Sequence, residues 1–312
     1  MDFWLSVSAV LPILIYMGLG ALLNRRGMLS PVTQGQMNKI IFSYLFPLVM
    51  FNNIYRTDLG SVLNGPFLLT MVALVLLVVL LTVLLVPRSF SGRPAQGTLM
   101  QAIIRGNSIL FALPVVATIS GPENTGLASL CIAVVVPLYN IICVIILESL
   151  RGEKLKPLSL LLSILKNPLV LGALVGLGVK AAGIGLPDVL EKVAANLAGI
   201  VTPLALIMLG AGLKLSDTLT YRKELVYVSV VKLLLVPLLF VLPVHFLGFG
   251  RVAVTTAMAM GAVPTAVSTY VMAKEMGADH VLAGQVVAVT TVLSVGSLFL
   301  WVLVLSGLGW IG

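Results

Sequence analysis

Charged side chains are scarce in this sequence, 10% of its 312 residues, where a soluble domain carries about 25%. With 59% of the residues hydrophobic, too few polar groups remain to cover a water-facing surface, and a soluble globular protein is excluded. Acids are the rarest charges, 11 against 19 lysines and arginines. The net charge of +8 would suggest nucleic acid in a soluble chain. Here the basic residues lie mostly in short hinges between apolar runs, so no nucleic-acid partner is expected. Cysteine is nearly absent: Cys131 and Cys143 fall inside one apolar run with no histidine or carboxylate nearby. Such thiols read as inert and buried, not as a disulfide or a metal site. No catalytic triad, phosphate loop or metal cluster is visible, so an enzyme has no residues to stand on and no cofactor is expected.

What the chain has is apolar length. Windows of about 20 residues, enough to cross a bilayer as a helix, give ten segments. The first five lie near 4–23, 34–55, 62–86, 95–119 and 125–148, and the second five near 159–180, 188–212, 224–247, 252–275 and 280–307. The first run follows only Asp2 and precedes Arg25 and Arg26. It therefore reads as a retained span with its N-terminus outside, not as a secretory signal. Lysine and arginine set the orientation, because basic hinges stay in the cytoplasm. With the N-terminus outside, the inner hinges hold Arg25, Arg26, Lys39, Arg88, Arg93, Arg151, Lys154, Lys156, Lys166, Lys214, Arg222, Lys223 and Lys274, and the outer ones only Arg56, Lys180, Lys192 and Arg251. Both termini are expected outside.

Two stretches, QAIIRGNSILFALPVVATISG from Gln101 and VTTAMAMGAVPTAVSTYVMAKEMG from Val254, each carry a mid-span proline, Pro114 and Pro264. Proline removes a backbone donor and clashes with the preceding turn, which is costly in hydrocarbon unless the break has a use. The two stretches also correspond. A shift of 156 residues places Pro12 on Pro168, Gly20 on Gly176, Gly27 on Gly183, Pro31 on Pro187, Pro47 on Pro203 and Gly121 on Gly277, while Ala112 and Pro114 meet Ala262 and Pro264 at a shift of 150. Residues 1–150 and 151–312 thus read as two repeats of five spans. An odd number of spans turns the second copy upside down, and inverted repeats with broken helices are a sequence mark of transporters.

With these features the chain resembles the auxin efflux carrier family, which includes plant auxin carriers and bacterial permeases for malate, malonate and related acids. The resemblance covers the whole chain. It rests on the 5+5 layout, RGNSILFALP (Arg105 to Pro114), GAVPTAVSTYVMAKEMGAD (Gly261 to Asp279) and TTVLS (Thr290 to Ser294). It implies an all-α polytopic fold related to the bile-acid sodium symporters, with segments 4 and 9 broken at Pro114 and Pro264 and crossing near the midplane. Segments 3, 4, 5, 8, 9 and 10 would form a moving core. Segments 1, 2, 6 and 7 would form a panel, often a homodimer surface. Elevator-type alternating access and a bacterial inner-membrane location are implied with it.

Physical chemistry points to the same crossing. A half-helix that starts at proline leaves its next amides unpaired, here around Val115 to Ala117 and Thr265 to Val267, and an anion is favoured there. A helix end supplies only about 0.3–2 kcal/mol per charge, so further donors are needed. Arg105, near 15 Å of depth at about 1.5 Å per residue, and Asn107 are the leading candidates, with Ser108 beside them. Arg105 could instead snorkel to the interface, and Asn107 could make an interhelical hydrogen bond. Thr265, Ser268 and Thr269 offer hydroxyls, which could equally bond their own backbone. Asn52 and Asn53 are panel-side contacts or the wet end of segment 2. Lys232 is the intramembrane charge of segment 8, a site for anion attraction or ion coupling, or a snorkelling stem.

No acid occupies the apolar centre of segments 4 and 9; Glu148, Glu224 and Glu275 lie near segment ends. A sodium site normally recruits a carboxylate, so the sequence departs from the sodium-coupled relatives in fold; a proton is favoured over sodium as coupling ion, with substrate exchange and the membrane potential as the other modes of coupling. The expected function is a secondary transporter for a small organic anion, a mono- or dicarboxylate. A carrier of an amphipathic neutral or zwitterionic solute and a non-transporting membrane receptor are the alternatives.

Overall fold

The computed structural model describes residues 3–56, 65–121, 124–151, 157–213 and 220–312. Lys154, Lys156 and Lys214 of the basic hinges lie outside them. The described residues are mainly helical, and the described part of each apolar window is occupied by a helix or by a helix with an interruption. They form α1 (Phe3–Arg25), α2 (Pro31–Ile40), α3 (Phe46–Arg56), α4 (Pro66–Ser89), α5 (Arg93–Ile104), α6 (Ser108–Ser120), α7 (Gly126–Leu150) and α8 (Pro157–Lys166). The second half forms α9 (Pro168–Ala181), α10 (Asp188–Gly199), α11 (Val201–Gly212), α12 (Arg222–Val230), α13 (Val236–Phe246), α14 (Arg251–Ala262), α15 (Ser268–Glu275) and α16 (His280–Gly307). Single π-turns join α2 to α3 at Ile41–Leu45 and α12 to α13 at Val231–Leu235.

Five helical stretches are long and apolar enough to cross a membrane: Pro66–Ser89, Gly126–Leu150, Asp188–Gly212, Arg222–Phe246 and His280–Gly307. Their outward faces carry large exposed apolar side chains such as Leu69, Leu76, Leu80 and Leu84 on α4. In water such a surface would need a partner, whereas lipid covers it without cost. The chain is therefore a multi-pass membrane protein.

The interruptions have local causes. Pro237 lacks the donor that would close an α-turn on the Leu233 carbonyl, and the indole N–H of Trp301 donates to that carbonyl at 2.9 Å. Between α8 and α9, Asn167 caps the new helix by accepting from the Leu169 amide at 3.0 Å, with Pro168 at the first helical position.

Residues matched by the shift of 156 share local conformation. Gly27 and Gly183 follow α1 and α9 with φ of 75° and 65°, and Gly121 and Gly277 follow α6 and α15 with φ of 94° and 75°. A left-handed residue just past a helix end is where glycine is needed. Packing repeats as well. Gly20 sets α1 against the Ile207 carbonyl of α11, and Gly176 sets α9 against the Phe51 carbonyl of α3, where an added Cβ would lie 2.9 Å from that oxygen. Small residues let membrane helices approach backbone to backbone.

The position of the first break corrects the reading from proline. α6 runs unbroken through Pro114, its seventh residue, and the helix stops instead at Arg105, Gly106 and Asn107. In the second stretch the break covers Val263 to Val267 and does contain Pro264. The two breaks hold each other: Gly106 and Thr265 form an antiparallel bridge, the Asn107 amide donates to the Pro264 carbonyl at 2.9 Å, and the Ala266 amide to the Arg105 carbonyl at 3.2 Å. Backbone groups freed in the membrane interior are thus paired across the crossing. At the crossing Pro264 pairs through its carbonyl with Asn107, and Pro114 lies inside α6.

Candidate functional site

The crossing is built from four helix ends. α5 and α14 arrive with their C-termini, α6 and α15 leave from Ser108 and Ser268, and the paired backbone described above joins them. The unpaired first-turn amides of α6 therefore open at Ser108, not at Val115 to Ala117. α15 opens at Ser268, with Thr265 still in the non-helical break, so Thr265 and Ser268 do not share a helix face.

A cavity of about 740 Å³ extends from this crossing to Arg56 at the end of α3, within the range of small-ligand sites. One wall comes from α5–α6, α7 and α14–α15, and the other from α1, α3, α10 and α11. Of the residues singled out in sequence, Arg105, Asn107, Ser108, Ser268, Pro114 and Asn52 line it. Val115 is buried in helix packing away from the cavity. Pro264 contributes its carbonyl to the crossing, and the Thr265 hydroxyl is spent on the Ala102 carbonyl at 2.9 Å. Thr269 is fully buried and does not reach the cavity.

Arg105 is only 2% exposed, so it does not snorkel to an interface. One terminal nitrogen of its guanidinium donates to the Met272 sulfur and the other to the Ser268 hydroxyl, while Nε is buried without an acceptor. These partners are neutral. Among the described residues the ion pair found is Arg151 with Glu148 at 3.6 Å, and Arg105 has no carboxylate within reach. A buried cation lacking a counter-charge costs several kcal/mol, and the guanidinium is a planar donor set matched to a carboxylate. An anion in the cavity would supply the missing partner. The Asn107 side chain, which does not cap α6, and the Asn140 Oδ1, buried without a partner among the described residues, are further polar groups on the cavity wall.

Lys232 is 1% exposed and likewise does not snorkel. It does not line the main cavity; its Nζ donates to the Ile103 carbonyl at 3.1 Å, behind the crossing. At the end of the molecule away from Arg56, Tyr270 of α15 is wedged against Gly212 of α11. A Cβ added at Gly212 would sit 2.9 Å from the tyrosine hydroxyl and 3.6 Å from Oε1 of Gln34.

Tyr139 and Asn140 were not singled out in sequence. Both line the cavity, and the Tyr139 hydroxyl donates to the Gly106 carbonyl at 2.8 Å, tying α7 to the crossing. The signal was there: they are a polar pair two residues past Pro137 in the middle of an apolar run. Thr202, on α11, had no comparable mark.

Comparison with known proteins agrees with this picture. The chain is 24% identical over 272 residues, 84% of its own length and 84% of the relative's, to a protein of Rhizobium meliloti (strain 1021) named "Putative malonate transporter". The pattern of a family described as Membrane transport protein, the auxin efflux carrier family, matches residues 5–302. With nearly its whole length matched and a buried, unpaired arginine on the wall of an intramembrane cavity, the chain belongs to this family of membrane transporters, not to the enzymes.

Proposed function

We propose that the protein is a secondary transporter of a small organic anion, a mono- or dicarboxylate, bound beside Arg105 at the crossing. The observation that carries the proposal is the Arg105 guanidinium, 2% exposed, on the wall of a cavity of about 740 Å³ with only neutral partners. Asn107, Ser108, Ser268 and Asn52 complete the contact set, and the first turn of α6 adds its amide dipoles. The relative named for malonate supports a carboxylate as the substrate class.

In this proposal the ten segments form a 5+5 inverted repeat, and the paired glycine turns and packing contacts support it. α4 to α7 and α12 to α16 act as the transport core, and α1 to α3 and α8 to α11 as a panel, available for homodimer formation. The cavity lies between these two bodies, as elevator-type alternating access requires. Thirteen basic residues in one set of hinges against four in the other support termini outside a bacterial inner membrane. Coupling is to a proton, not to sodium, since the crossing offers cations where a sodium site needs oxygen ligands of negative charge.

The test is flux of labelled malonate into proteoliposomes, with wild type compared to Arg105→Gln. Loss of a charge-assisted hydrogen bond of about 1.5–3 kcal/mol predicts roughly 10- to 150-fold weaker binding. Equal transport by the variant would remove the arginine from the site and favour a neutral solute.

A further inference from the structure

Behind the Gly106 backbone, on the side away from the main cavity, lies a second void of about 10 Å³, on the scale of one water molecule. Lys232 lines it, and Gly106, Ser108 and Tyr139 line both this void and the main cavity. The separation is one glycine thick: a Cβ on Gly106 would lie 3.4 Å from Nζ of Lys232. Nζ has one protein acceptor, the Ile103 carbonyl at 3.1 Å, although an ammonium carries three donors.

The surroundings of Lys232 hold no acid among the described residues. The titratable groups facing it are Tyr139 and Cys143 of α7. Val75 and Val78 of α4, Val236 and Phe240 of α13 and Met260 of α14 close the void with apolar side chains. Arg93 of α5, Arg251 of α14 and His280 of α16 stand at the first residues of their helices, remote from the crossing.

Lys232, like Arg105, is a buried cation without a counter-charge among the described residues, which is costly in a low-dielectric interior. Of the two, arginine cannot release its proton and lysine can. An anion seated in the main cavity against Gly106 would place negative charge about one residue's thickness from Nζ and favour the ammonium. Anion binding and lysine protonation are then linked, each strengthening the other by the same factor.

We propose that Lys232 is the proton-binding site of the transport cycle, an inference that rests on the anion reading of the main cavity. When the anion arrives, the Nζ lone pair takes a proton delivered by cavity water past Ser108 and Tyr139. When the anion leaves, the N–H bond breaks and the proton returns to that water. A dicarboxylate dianion would then meet two positive charges, and each dianion would travel with about one proton.

The experiment is calorimetric titration of the purified full-length protein with malonate in phosphate and in Tris at one pH, two buffers that differ in ionisation heat. Wild type should show a buffer-dependent heat equal to uptake of about one proton. Lys232→Arg keeps a cation that does not titrate, and Lys232→Met removes it; both should bind malonate with heats that no longer depend on buffer. A wild-type heat independent of buffer, or a variant that retains the dependence, overturns the proposal. Failure of malonate, succinate and acetate alike to bind would instead strike the anion reading. The proton site is then read without ligand, from Tm between about pH 6 and pH 10. Wild type and Lys232→Arg should diverge over that range, and parallel curves would dismiss Lys232 as a proton site.

Discussion

Arg105 and Asn107 are two residues apart and do different work. The arginine supplies charge, and its direction is fixed by Ser268 and Met272 of α15. Asn107 pairs its backbone with Pro264 and leaves its side chain on the cavity wall. Ser268 is already engaged with Arg105, so its removal loosens a positioning contact and leaves the charge in place. Asn107→Ala should therefore weaken malonate binding by roughly 5- to 10-fold, the worth of about one neutral hydrogen bond, and Ser268→Ala by less. Thermal stabilisation by malonate across a concentration series measures both, and a larger loss at Ser268 would reverse the assignment. Local sequence revealed Arg105 and Asn107 because polar side chains at bilayer depth are rare. It could not reveal that Thr265 spends its hydroxyl on Ala102, a residue 163 positions away.

At the level of elements, the helices are joined by close backbone contacts more than by long side chains. Gly20 against Ile207 and Gly176 against Phe51 are equivalent under the shift of 156, since Phe51 and Ile207 are also 156 apart. Leucine at either glycine has no room without separating two helices. Gly20→Leu and Gly176→Leu should each destabilise by about 1–3 kcal/mol or more, and by similar amounts, read as Tm in detergent. Unequal losses would mean that the two contacts are not structurally equivalent. Pro114 teaches the complementary lesson. Proline was expected to place the first break, yet α6 absorbs it, and the break falls where Gly106 can pair with Thr265. A bridge between distant strands of backbone outweighs the local preference, and nothing near Pro114 announces it.

For the whole molecule, the cavity reaches Arg56 at one end while Tyr270, Gln34 and Gly212 meet near the other. In the proposed orientation the Arg56 end faces the outside. Cysteine placed at Asn52, on the cavity wall, should react with a membrane-impermeant thiol reagent added from outside, and malonate should slow the reaction. Cysteine at Gln34, which is buried, should react only when the core has moved. The native Cys131 and Cys143 are buried and form a silent background. Labelling of Asn52→Cys only from inside would invert the orientation. Labelling of both positions at once, at full rate, would contradict alternating access.

The sequence by itself determined the membrane class, the ten apolar windows, the matched glycines Gly27, Gly121, Gly183 and Gly277, and the candidate region around Arg105. These follow from hydrophobic length, turn chemistry and the rarity of intramembrane charge, all of which act over a few residues. Tertiary structure alone decided where the first helix breaks, which hydroxyls are free, that Tyr139 and Asn140 join the site, and that Lys232 lies behind Gly106 and off the cavity wall. Each of these depends on backbone groups and side chains that meet across the fold. The backbone groups freed at the two breaks find partners only once the two halves have come together.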